Sequence, residues 1–121
     1  MLRPPTVEYD VINHSLRLVS LVHRGTGDHK TYQGQLTILI EGLLNDENNT
    51  VNLAALDTWH ERNMYTLTFR YLQKVQAAVS LPKCFVPESV VSSIRLEKPM
   101  VVTRERRDAL GDTAAMVMVE Q

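Results

Sequence analysis

Residues 65–81 read YTLTFRYLQKVQAAVSL, and the expected fold is built outward from this stretch. Leu67, Phe69 and Tyr71 take alternate positions, with Thr66, Thr68 and Arg70 between them. Beyond Leu72-Gln73-Lys74 a second alternation groups Val75, Ala77, Val79 and Leu81. Successive side chains of a strand point to opposite faces, so each half reads as a strand with one buried face. Together they predict a β-hairpin turning at residues 72–74, at the centre of a small antiparallel sheet.

The same period continues on either side. Tyr32, Gly34, Leu36, Ile38, Ile40 and Gly42 share one face of what should be the longest strand. Gly34 inside it marks a bulge or a close backbone approach. Residues 16–22, LRLVSLV, predict a second strand, whose alternation slips at Leu18-Val19 as for a bulge or a strand buried on both faces. The run RGTGDHK at 24–30 reads as the loop across which these two strands pair. Val7, Tyr9 and Val11 suggest a short first strand behind an extended Pro4-Pro5 arm at 1–6. Asn45-Asp46-Glu47-Asn48-Asn49 is a polar turn, and residues 50–56 suit either a short strand or one or two helical turns. Residues 57–63, DTWHERN, read as a connection around Trp59. Val90, Ile94 and Leu96 mark a last strong strand at 89–96, closed by Lys98-Pro99. Five consecutive charges, Arg104 to Asp108, then open a segment rich in alanine and methionine. Residues 104–121 are therefore expected to be a flexible tail, with Met116 to Val119 as a late strand in the alternative. The sum is an all-β domain over 7–103, an antiparallel β-sandwich or open barrel of about six or seven strands.

Composition narrows the function. The chain has 121 residues and 44% hydrophobic residues, enough for one core. Lys and Arg total 13 against 14 Asp and Glu, for a net charge of -1. A near-neutral balance lacks the electrostatic footprint of nucleic-acid binding and the cationic excess of a membrane-surface binder. The single cysteine, Cys84, forms no intrachain disulfide. No apolar run approaches the roughly 18 residues of a membrane span, so the polypeptide is expected to be soluble, either free-standing or cut from a longer anchored protein.

Four segments carry a resemblance: LRLVSLVHRG at 16–25, YQGQLTILIEG at 32–42, TFRYLQKVQAAVSLP at 68–82 and CFVPESVVSSIRLEKP at 84–99. They resemble the C-terminal β-rich domain of small proteobacterial inner-membrane proteins of unknown function. Those proteins carry a membrane span, then a coiled coil, then the β-domain outside the cytoplasm, and are often encoded near bactofilins. The resemblance implies a scaffold or assembly role at the periplasmic face of the inner membrane and supplies no catalytic or ligand residues. The span and coiled coil have no counterpart in this sequence, and the last residues match nothing in the pattern.

Side-chain chemistry adds little. His14, His23, His29 and His60 have no zinc-motif spacing among themselves or to Cys84. Arg24-Gly25-Thr26-Gly27 lacks the Lys-Ser/Thr ending of a phosphate loop. Cys84, beside Lys83, reads as a buried or half-buried structural thiol before a nucleophile. Arg70 either pairs across the sheet with an acid such as Glu41 or heads an interaction surface with Tyr71. Trp59 is either an interface anchor or a cover for the core edge. The expectation is a non-enzymatic protein-interaction module without cofactor or metal, with candidate interface residues Arg70, Trp59 and Tyr71. Its partner would be a protein, or a second copy through an edge strand. The alternative is a small ligand-binding or enzymatic β-domain with a site near His23, His29 and Cys84.

Overall fold

The computed structural model describes residues 2–10, 12–23, 30–56 and 64–110, and the backbone of 117–119. Its strands are β1 (Thr6–Asp10), β2 (Ser15–His23), β3 (Tyr32–Leu44), β4 (Glu47–Asn52), β5 (Tyr65–Phe69), β6 (Leu72–Ser80), β7 (Phe85–Lys98), β8 (Val102–Ala109) and β9 (Val117–Val119). A single helical turn, α1 (Leu53–Leu56), follows β4. Two sheets form a sandwich, one ordered β6-β2-β1-β9, the other β4-β3-β7-β8 with β5 also on β3. The all-β expectation holds. Residues 50–56 take both of the forms open to them, strand through Asn52 and helical turn from Leu53.

The inner faces follow the period-two pattern. Leu16, Leu18, Val22, Val75, Ala77 and Val79 are buried from the first sheet; Leu36, Ile38, Ile40, Leu67, Val90, Ile94 and Leu96 are buried from the second. The slip at Leu18-Val19 is not a bulge. The β2 register runs unbroken against β1 and β6. Ser20, fully buried, occupies the inward position, which leaves Val19 and Leu21 half-buried on the outer face.

Which strands pair differs from expectation in two places. β2 was expected beside β3; it pairs instead with β1 and β6, and β3 pairs with β4, β5 and β7 in the other sheet. The stretch 65–81 is not a hairpin. β5 pairs with β3 and β6 with β2, so the chain crosses from one sheet to the other at Arg70-Tyr71. A two-residue hairpin turn needs positive φ, which favours Asn, Asp and Gly. Asn45 and Asp46 adopt it, at φ 52 and 67, and they join β3 to β4. Leu72-Gln73-Lys74 offers no such residue.

The spine of the second sheet is the β3–β7 ladder, interrupted twice. Gln33 pairs with Lys98 but Gly34 with Leu96; Glu41 pairs with Ser89 but Gly42 with Pro87. Each shift leaves one extra residue on β7, Glu97 and Glu88, both exposed. The bulge at Glu88 moves the buried positions from Phe85 and Pro87 to Val90, Ser92, Ile94 and Leu96, and it accommodates Pro87, which has no N–H for a ladder. Opposite each bulge the backbones approach so closely that a Cβ at Gly34 would lie 2.7 Å from Leu96 Cα, and one at Gly42 2.9 Å from Pro87 Cα. β7, at 14 residues, is longer than β3, at 13.

Residues 102–109 were expected to belong largely to a flexible tail from 104. They form β8, paired with β7 from Ser89↔Ala109 to Leu96↔Val102. Leu110, immediately after, is buried in the core. The five charges sit on an edge strand, exposed on most positions, where they discourage pairing with a foreign strand. At the other terminus, the 1–6 arm is tied to β2 by a Leu2↔Val22 bridge and by Arg3 N donating to Leu21 O at 3.2 Å.

Gly42→Ala should lower unfolding stability by about 1–3 kcal/mol, because backbone atoms rather than a movable side chain fill the space; urea denaturation measures it. Ser20→Ala should do the opposite. The Ser20 hydroxyl is buried without a hydrogen-bond partner, so its removal should leave stability unchanged or raise it by up to about 1 kcal/mol. A loss at Ser20→Ala comparable with that at Gly42→Ala would show that its hydroxyl is satisfied in solution.

Candidate functional site

The crossover between the sheets gathers the features that rise above packing. β5 ends with Phe69, whose ring meets Tyr32 edge-on, with centroids 5.4 Å apart at 81°. Such contacts add modestly to the area both rings bury. The chain then exposes Arg70 and Tyr71 and enters β6 at Leu72, opposite His23. Gln73 secures the corner. Its Oε1 accepts from Thr68 N at 2.7 Å, and its Nε2 donates to Thr66 O at 3.2 Å. The side-chain amide thus engages the β5 backbone with one donor and one acceptor, as a neighbouring strand would. Gln73 was passed over in the sequence, where a polar residue between two alternating runs resembles any turn residue. The cue lay in the absence of Gly, Asn or Asp around it.

This corner forms part of an exposed apolar end. Tyr32 pairs with Phe69 on one side of β3, and Gln33 pairs with Lys98 on the other. The β5–β6 corner and the β7–β8 turn therefore lie at the same end of the second sheet, with the ends of β5 and β7 two ladder spacings, about 10 Å, apart. Tyr71 and Leu72 are 53% and 51% exposed at the first, and Met100 and Val101 are each 63% exposed at the second. Grouped apolar side chains at a surface mark a place where a partner can remove them from water.

Of the candidate interface residues, the structure brings Arg70 and Tyr71 together at this corner, while Trp59 lies outside the described residues. The Arg70–Glu41 pairing does not form. Glu41 Oε1 instead accepts from Arg107 Nη1 and, at 3.2 Å, from Ser89 Oγ. Arg70 follows the strand on the N-terminal half of β3, whereas Glu41 is near its C-terminal end, about 30 Å away at ~3.3 Å per residue. Glu41 also borders an open depression of about 620 Å³ with Asn48, Asn49, Thr50, Glu88 and Ser89.

The residues of the alternative site are not assembled. His23 ends β2 opposite Leu72, whereas Cys84 follows the other end of β6, where Ser80 faces Ser15. Along that ladder the two ends are roughly 25 Å apart. His29 lies outside the described residues, as do His60 and residues 24–27. Cys84 was expected to be buried or half-buried and is exposed. It holds φ 66 in the turn before β7, where its carbonyl accepts from Asn45 N at 3.3 Å, and a turn residue at the sandwich end has no core to enter. Among the described residues no group of three His, Cys, Asp or Glu could hold a metal ion.

Two electrostatic shifts lie beside the β1–β2 turn. The Asn13 side-chain amide donates to Asp10 at 2.8 Å, and backbone N–H groups of Asn13 and Ile12 add to it, which holds the Asp10 carboxyl below its usual range. Burial, with Asp10 alongside, pushes the Tyr9 phenol up. Both shifts move away from neutral pH, so neither Asp10 nor Tyr9 is poised for proton transfer there.

A model of a family of unknown function, DUF6776, matches residues 11–91. The chain belongs to this family. No curated protein and no solved structure matches it. The matched span covers the crossover and Gln73 but stops within β7, so β8 and β9 lie outside it.

Replacing Gln73 by Ala should cost about 1 kcal/mol and speed amide exchange at Thr68 several-fold, as read by NMR hydrogen exchange. Gln73→Glu, which keeps the acceptor and loses the donor, should fall between the two. Unchanged exchange at Thr68 in Gln73→Ala would mean that the amide does not hold the corner.

Proposed function

We propose that this domain is a non-enzymatic protein-interaction or scaffold module of the bacterial cell envelope. It engages a protein partner through the end formed by Arg70, Tyr71, Leu72, Met100 and Val101. The observation that carries this proposal is that two separate turns expose apolar side chains at the same end of the second sheet, one of them next to an arginine. Arginine and aromatic residues are enriched at interface hot spots, and burial of the apolar groups supplies the driving force. A near-neutral charge fits a protein partner better than a nucleic acid. The resemblance to envelope β-domains supports a place at the periplasmic face of the inner membrane, as one domain of a longer anchored protein.

Self-association through the β8 edge is disfavoured by Arg104, Glu105, Arg106, Arg107 and Asp108. The apolar end therefore has the leading role, and the edge strands a secondary one.

Photo-crosslinking amino acids at Tyr71 and Met100, with a control at Thr37 on the outer face of the second sheet, test this in envelope preparations. Tyr71 and Met100 should yield a common product that the control does not, and Arg70→Glu should diminish it. Identical patterns at all three positions would overturn the assignment of this end.

A further inference from the structure

The sheet edges are guarded by different means. β8 carries charges, and β5 is engaged by the Gln73 amide. On β4, Asn49 Oδ1 accepts from Thr50 N at 2.7 Å. Among the described residues, the outer side of β1 is instead closed by a short strand: Val117–Val119 lies beside Glu8–Asp10, in register Glu8↔Val117, Tyr9↔Met118 and Asp10↔Val119. This pairing is parallel, whereas every other ladder among the described residues is antiparallel.

We propose that the outer edge of β1 is a strand-addition site for an extended segment of a protein partner, and that Val117–Val119 is the chain's own occupant of it. Strand addition uses main-chain hydrogen bonds that any extended segment can supply, and β-branched residues suit it. The register shows that this edge accepts a parallel strand, and the sequence Val-Met-Val gives the kind of segment it takes. A three-residue ladder belongs to the least stable elements of a fold, so displacement costs little. Leu110, buried at the end of β8, fixes the chain ahead of the occupant, so release of β9 leaves the β7–β8 and β1–β2 ladders in place. The intramolecular occupant competes at high effective concentration, so a partner must bring a longer or better-matched strand. This site goes beyond the interface proposed above and occupies a different surface: Asp10 leads into the β1–β2 turn, at the end of β2 opposite His23 and Leu72.

A fluorescent peptide of residues 115–121 provides the probe. It is titrated into the full chain and into the full chain carrying M118P and V119P, which removes whichever of the two N–H groups faces β1 and disfavours the strand. The opened variant should bind at least ten-fold more tightly than the unaltered chain, with amide shifts centred on Glu8, Tyr9 and Asp10. A second variant, E8C/V117C with Cys84→Ser, locks the occupant in place; it should bind no peptide when oxidised and regain binding on reduction. Equal affinity for opened and unaltered chains, shifts centred elsewhere, or binding that ignores the lock would overturn the proposal. Dimerisation of the opened variant that excludes the peptide would overturn it in favour of a self-pairing edge. Failure of the Tyr71 and Met100 crosslinks would leave this result unaffected, since they probe the opposite end.

Discussion

The close approach of β3 and β7 at two glycines is the constraint on which the rest of the sandwich depends. Gly34 and Gly42 face positions where β7 carries one residue too many, and the missing side chains let the backbones meet there. Between those points Leu36, Ile38 and Ile40 stay in phase with Ile94, Ser92 and Val90. Without the Glu88 bulge, Phe85 and the Val90–Leu96 series would face opposite sides of the sheet, since a one-residue slip inverts every side chain. The bulges therefore bring both ends of β7 into one core and place the turns at which β3, β5 and β8 begin or end.

The crossover at Arg70-Tyr71 depends on that frame. β5 can leave the second sheet because β3 is long enough to hold β5 and β4 in succession along one side. β6 can join the first sheet because β2 offers a nine-residue partner. Gln73 spans the seam, and the Tyr32–Phe69 contact steadies the strand just before it. The outcome is a corner whose side chains cannot all turn inward, which is why Tyr71 reaches solvent although it continues the alternation of Leu67 and Phe69, while Leu72 falls on the outward face of β6.

Much of this was legible in the residues themselves. The buried faces of β2, β3, β5 and β6 follow period two, the Asn45-Asp46 turn announces itself through residues that tolerate positive φ, and Gly34 marks its bulge. Less legible were the elements whose sequences hide their environment. β8 looks like a solvated charge run because two of the half-buried positions of this edge strand, Arg106 and Asp108, are themselves charged and paired with each other. Ser20, a polar residue on a buried face, breaks the pattern of β2 without any break in its register. Of the candidate site, Arg70 and Tyr71 were visible as candidate interface residues, although Tyr71 shared the alternation of Leu67 and Phe69. That they share an end of the sheet with Met100 and Val101 was not, because this arises from two strands that flank β3.

By itself the sequence determined an all-β chain, the face that most strands bury, a single core, and a near-neutral charge balance. Only the tertiary structure decided which strands are neighbours, that residues 65–81 bridge two sheets, and that a C-terminal strand covers β1. The reason is physical. Alternation records whether a side chain meets apolar or aqueous surroundings, a property local to each strand. A strand buries the same face whether its chain neighbour lies beside it in one sheet or across the core in the other. The choice between these rests on turn geometry, bulges and contacts between residues far apart in the chain.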